Sequence, residues 1–179
     1  VFTDHHVAFE TMESADEPDY VLLLERLHEL SPDIYFEFMT SPEGNEFVIT
    51  ADGEQSLFPL VEEIIAAAPK LDNWSFFALK PQFGFPELSE WEGVRMRIAN
   101  VRCILLECMD TDELGLRLIV PHIDPATEDS LHNALLRAID HGLGERRFAE
   151  SFDFTELVNP AAAGGESFPL ARLDAELSR

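Results

Sequence analysis

Two stretches of the chain carry the same apolar pattern at a constant offset of 74 residues. Leu57, Leu60, Val61, Ile64, Ile65 and Ala68 fall on Leu131, Ala134, Leu135, Ala138, Ile139 and Gly142. Continuing without a gap, Trp74 falls on Phe148 and Ala78 on Phe152. Apolar residues at such three- and four-residue steps form one face of a helix, and the residues after each stop read as a strand. A repeated pattern constrains architecture before any local detail does. Each copy is preceded by a hairpin pattern, so the chain reads as two ββαβ units, about 34–80 and 101–158. The expected fold is α+β in a single domain of residues 1–179. The two units and one extra strand would form one mostly antiparallel sheet, with the main helices on one face and a flexible tail at 159–179.

The local signals fill in this scheme. Ser14 and Glu17 have capping-box spacing ahead of the Tyr20, Leu23, Leu24, Leu27, Leu30 stripe, and Ser31-Pro32 stops that helix. Ile34, Phe36 and Phe38 alternate with Tyr35, Glu37 and Met39 as in a strand. Ser41–Asn45 turns the chain, and Phe47–Thr50 returns. Ser56 is a candidate N-cap for the first repeated helix, and Pro69 ends it before a strand at Trp74–Leu79. Residues 80–93 read as an irregular Pro/Gly/aromatic loop, and Val94, Met96 and Ile98 as the extra strand. Val101–Met109 is apolar on both faces, which suits a central strand, and Leu114–Val120 is its hairpin partner. Asp124-Pro125 offers an N-cap and a proline at the first helical position. Gly142 is the expected stop of that helix, and Phe148–Phe154 the last strand.

A right-handed crossover in each unit, with the hairpin's first strand in the middle, gives a local order of 2-1-3. Phe36, Phe76, Met96, Leu106 and Leu116 would then face the helices. Phe77, Leu79, Leu105, Met109 and Ile119 would face the other way and need cover. The helix of residues 18–30 supplies it in a monomer. A second subunit supplies it in a weak homodimer.

Charge narrows the partners. The chain of 179 residues carries 35 acids against 12 bases, for a net charge of −23. Phosphate backbones and anionic lipids attract through Lys and Arg, so nucleic acid and membrane surfaces are poor partners. The apolar runs are interrupted well before the roughly 20 residues that a membrane span needs. No secretory leader is visible, and Cys103 and Cys108 lie on opposite faces of one predicted strand, which suits a reducing cytoplasm. A basic protein partner, nucleic-acid mimicry and plain solubility all account for the acidity.

The residues that could carry chemistry are few. His6 and Glu10 lie one helical turn apart beside His5, but a metal site needs a further ligand, so no metal is expected. His122, in Pro121-His122-Ile123-Asp124, stands at a strand end before a helix, where a general base is often placed. No Ser or Cys nucleophile lies near it, so no catalytic residue is assigned. His132 and His141 read as the polar flanks of a helix, and the cysteines as buried small hydrophobes. Gly142-Leu143-Gly144-Glu145 follows a helix where a dinucleotide loop would precede one, so no cofactor is expected. Arg95, Arg97 and Arg117 alternate with core positions on strands read as neighbours, with Lys80 nearby. Guanidinium forks at such positions either form an anion pocket or pair with residues such as Glu37 and Glu107.

Residues 60–81, Leu60-Val61-Glu62-Glu63 through Pro69-Lys70 and Trp74–Pro81, resemble a segment of a family of uncharacterised bacterial proteins. Leu135-Leu136 through Gly144-Glu145 is similar to that family's C-terminal portion. The resemblance implies a bacterial source and no catalytic residue, and it draws attention to Lys80-Pro81. The functional expectation is a cytoplasmic, non-enzymatic binding or regulatory protein acting through a protein partner. The alternative is an anionic-ligand domain or enzyme with an arginine-lined pocket under an 80–93 lid.

Overall fold

The computed structural model describes residues 2–10, 16–41, 44–107 and 114–179. Ser14, Cys108, Met109 and the turns at 42–43 and 110–113 lie outside the described residues. The fold is mixed α and β, with six helices and three small sheets among the described residues. The single continuous sheet is therefore corrected to three. The helices expected on one common face follow different sheets. The chain divides into two compact units, Val1–Lys80 and Pro81–Arg179.

The first unit holds α1 (Phe2–Phe9), α2 (Pro18–His28), β1 (Tyr35–Ser41), β2 (Gly44–Thr50), α3 (Phe58–Ala66) and β3 (Trp74–Ala78). β1 and β2 are antiparallel with Phe38 opposite Phe47, and β3 runs parallel to β2 with Phe76 opposite Phe47. The order is β1-β2-β3, so the hairpin's second strand is central, not its first. The reason lies in the residues. Phe47, Val48, Ile49 and Thr50 are all buried, as a strand covered on both faces must be, whereas β1 exposes Tyr35 and Glu37. The turn into α3 uses Asp52 at φ 50° and Gly53 at φ 88°. Ser56 does not cap α3. Its amide and hydroxyl donate to the Glu54 carboxylate, and a 3-10 turn at Gln55–Leu57 precedes the helix.

The second unit opens on a hairpin of β4 (Leu88–Trp91) and β5 (Val94–Arg97), turned by Glu92 at φ 48° and Gly93 at φ 80°. The irregular loop is thus shorter than expected, and among the described residues the extra strand pairs only with β4. Next come β6 (Arg102–Glu107), β7 (Leu114–Ile119), α4 (Glu128–Leu143), α5 (Glu145–Ser151), β8 (Phe154–Val158), β9 (Phe168–Pro169) and α6 (Leu173–Leu177). The sheet order is β8-β7-β6-β9, with β7 parallel to β8 and antiparallel to β6.

Three expectations change here. Phe148 lies in α5, so the offset pattern aligns a strand with a helix at this point. Leu105 stands opposite Leu116 and shares its face, while Leu106 shares the face of Ile119, which inverts the expected sides of β6. α4 begins at Glu128 because Asp124 is used earlier, its carboxylate accepting from the Ala126 amide at 2.9 Å.

One face of the four-stranded sheet enters the core, where Cys103, Leu116 and Leu118 cluster with Leu131, Leu135, Ala138 and Ile139 of α4. Leu170 and Leu173, in the segment read as a flexible tail, are fully buried in the same cluster. On the other face Gly115 leaves room for the Phe154 ring, which would lie 2.2 Å from an added Cβ. The segment 163–167 crosses this face. Arg117 donates to the Ala163 carbonyl at 2.5 Å, Arg102 bonds Ser167 at 2.8 Å, and Gly165 lies against Ile104. Part of the cover expected from helix 18–30 therefore comes from the Ala/Gly-rich segment. α2 packs Tyr20 against Phe36 of β1, with ring centroids 4.5 Å apart and the rings tilted by 46°.

Candidate functional site

β5 alternates Val94 and Met96 towards the core of its unit with Arg95 and Arg97 towards solvent. The 3-10 turn at Ile98–Asn100 and the chain leaving β7 at Pro121-His122 border the same region. Together Leu88, Arg95, Met96, Arg97, Asn100, Pro121 and His122 line an open hollow of about 490 Å3. Two guanidinium groups, an amide and an imidazole around one hollow can bind a carboxylate or phosphate. Each arginine already holds a carboxylate. Arg95 Nε is 2.9 Å from Glu90 across the hairpin, and Arg97 Nη1 is 3.1 Å from Glu87. Both side chains are about two-thirds exposed, so water weakens the field that they present.

The other two residues singled out in the sequence lie elsewhere. Arg117 is on β7, where its Nε meets Glu156 of β8 at 2.6 Å. Lys80 belongs to the first unit, with its ammonium 3.3 Å from Asp52 and 3.9 Å from Glu37. The structure brings Arg95 and Arg97 together but does not join Arg117 to them, because β5 pairs with β4 and not with β6 or β7. Sequence reasoning missed that His122 and Asn100 line the same hollow as these arginines. The signal available was that both flank strand ends.

The loop before β4 is tied down. The Phe83 amide donates to the His141 carbonyl at 3.0 Å, and Gln82 Nε2 donates to the Gly142 carbonyl at 3.0 Å. His141 Nδ1 lies 2.6 Å from the Gly84 carbonyl, to which it donates. These bonds use carbonyls at the end of α4, which lack partners within the helix, and return one bond to the loop. The Phe85 ring lies over Gly142, and a Cβ there would approach it to 2.5 Å. Gly142 therefore does not stop the helix, which runs to Leu143 and ends at Gly144 with φ 81°. Its missing side chain is the seat of the loop.

The remaining candidates are accounted for by their surroundings. Burial pushes the Cys103 thiol up to about 12, far from the thiolate that a nucleophile needs. His132 bonds Thr155 at 2.8 Å, and desolvation holds its pKa below the usual histidine range despite Asp129 and Glu128 nearby. His5 pairs with Asp19 at 2.7 Å. Among the described residues no group of three or more His, Cys, Asp or Glu is placed to hold a metal ion. No helix of the described residues is long and apolar enough to cross a membrane. Comparison with models of known families, with curated proteins and with solved structures gave no match.

Proposed function

We propose that this is a cytoplasmic binding or regulatory protein that works through a protein partner with a basic surface. The observation that carries the reading is the use made of the chain's ten arginines. Eight pair with carboxylates of their own unit: Arg26, Arg95, Arg97, Arg117, Arg146, Arg147, Arg172 and Arg179. Arg102 binds Ser167, and Arg137 stacks over Trp91 at 5.2 Å. The arginines are thus engaged internally, while exposed acids such as Glu25, Glu63, Glu107, Glu128 and Asp129 give the surface its sign. Complementary charge speeds encounter and selects partners, and it is screened by salt. Affinity capture from the bacterial host that the resemblance implies tests this reading at low and high salt. A basic protein retained at low salt and released at high salt supports it. Capture of neutral or acidic proteins that ignores salt refutes it.

The hollow of Arg95, Arg97, Asn100 and His122 favours a second reading, a site for a small anion. Titration with inorganic phosphate or citrate, followed by amide NMR shifts, tests it directly. Shifts centred on Asn100 and His122 that vanish in Arg97→Gln support it. Diffuse shifts that survive the substitution do not.

A further inference from the structure

The hairpin β4-β5 turns one face to α4 and the other outward. Ser89, opposite Met96, is on the inner face, where its hydroxyl donates to the Ala134 carbonyl of α4 at 2.6 Å. Leu88 opposite Arg97 and Glu90 opposite Arg95 share the outer face. Charge dominates these outer positions, and Leu88 is the exception, with 38% of its surface exposed. The register sets it directly beside Arg97, so a leucine and a guanidinium meet the hollow side by side. Met96 and Pro121 continue the apolar part of the lining, and Asn100 and His122 continue the polar part.

The polar half has donors to give. Arg97 meets Glu87 through Nη1, and Arg95 meets Glu90 through Nε. A guanidinium carries five N–H donors, more than one carboxylate uses. Glu87 is 86% exposed, so its pairing with Arg97 is worth little, and an incoming anion joins or displaces it. The side-chain amide of Asn100 adds further donors, and the His122 ring offers an N–H in either tautomer. Inorganic phosphate or citrate would leave the apolar half uncovered. The net charge of −23 also repels every anion, so local donors alone hold a small one poorly. Apolar contact supplies what charge does not. Each methylene taken out of water multiplies affinity by roughly fourfold.

We infer that this hollow binds an aliphatic monocarboxylate, its head on Arg97, Asn100 and His122 and its chain on Leu88, Met96 and Pro121. The inference rests on the small-anion reading of the same hollow and names the class of ligand.

The test titrates the full chain at constant ionic strength with hexanoate, acetate, inorganic phosphate and hexanol, followed by amide NMR shifts. The expected shifts centre on Leu88, Asn100 and His122. Hexanoate should bind at least about tenfold tighter than acetate or phosphate, the gain from covering about two methylenes. Hexanol, which lacks the charged head, should bind at least about tenfold more weakly than hexanoate. Leu88→Ser should remove most of hexanoate's advantage over acetate, and Leu88→Met should keep it. Arg97→Gln should weaken hexanoate and acetate together. Both positions are exposed, and a cooperative melt by circular dichroism establishes that each variant is folded. If acetate or phosphate moves the same amides as tightly as hexanoate, the ligand class is overturned and the small-anion reading stands. If folded Leu88→Ser keeps the full advantage of hexanoate, the chain does not lie on Leu88 and the inference is overturned. If hexanol binds as tightly as hexanoate, the carboxylate has no role and both readings fall. If no compound shifts these amides, both readings fall as well.

Discussion

Gly142 offers a sharp test of how the second unit is assembled. In an exposed helix interior, replacing glycine with alanine stabilises by about 1 kcal/mol, because glycine loses more backbone entropy. Gly142 sits inside α4, so propensity alone predicts a gain. The structure predicts a loss. An added Cβ would lie 2.5–2.6 Å from three atoms of the Phe85 ring, well inside van der Waals contact. Phe85 packs against the unit's core, so the ring yields only by disturbing its loop. Overpacking of this kind costs about 1–3 kcal/mol. Set against the propensity gain, the net change is about 0–2 kcal/mol of destabilisation, a fall of up to roughly 8 °C in Tm for a chain of this size. The decisive measurement is a double-mutant cycle with Phe85→Ala, read by urea or thermal unfolding. With the ring removed, Gly142→Ala should reverse sign and stabilise by about 0.5–1 kcal/mol, since only propensity remains. If Gly142→Ala raises stability in the unaltered background, or changes it equally in both, the ring does not sit on the helix. The latch described for residues 82–85 would then be wrong.

Three further outcomes follow from the second unit. Leu173→Ala should cost about 2–5 kcal/mol in unfolding experiments, since this fully buried residue joins the C-terminal segment to the core. A loss below about 1 kcal/mol would mean that the tail is dispensable. His132 is held below its ordinary pKa chiefly by desolvation, so the folded state favours the neutral ring. Its contribution is complete above the unfolded pKa near 6.5 and is lost as pH falls from there through the lower folded value. His132→Gln should flatten stability between pH 7 and pH 5 relative to the unaltered chain, and an unchanged slope would refute the assignment. Cys103, buried and with its thiol raised to about 12, should react with a thiol reagent only as fast as the unit opens. Mass spectrometry after limited labelling checks this, and rapid modification of Cys103 in the folded chain would contradict its burial.

Much of the secondary structure was legible in the sequence, because apolar spacing reports which face of an element is covered. Most of each expected stripe lies on α2, α3 or α4, although Leu30 falls past the end of α2 and is exposed and Leu57 and Ala68 fall outside α3, and the alternation of β1 marks its exposed side. The errors have a common physical origin. Phe148 and Phe152 are four apart, a separation that suits two strand periods and one helical turn alike, so spacing could not choose between strand and helix. Between Arg102 and Glu107 the four residues of β6 are apolar on both faces, which removes the phase that tells one pleat face from the other. The division into three sheets depends on which strands pair, a long-range property. A hairpin such as β4-β5 needs only a turn at Glu92-Gly93 to close on itself instead of joining a neighbour.

The candidate sites were less legible, for a reason visible in the arginines. A residue type at a strand position states its chemistry but not its neighbours. Arg95 and Arg117 alternate with core residues in the same way, yet one stands opposite Glu90 on a two-stranded hairpin and the other beside Glu156 on a four-stranded sheet. His122 shares a hollow with Arg97 although 25 positions separate them, and nothing in the spacing announces it. The aromatic face of the first sheet was hidden differently. Phe36, Phe38, Phe47, Trp74 and Phe76 read singly as core residues, and α1 covers them as a core helix would. That Phe2 and Phe9 of α1 meet this face, with His5 on Asp19 between them, is a matter of fit between elements far apart in the chain, which the spacing within each element does not state.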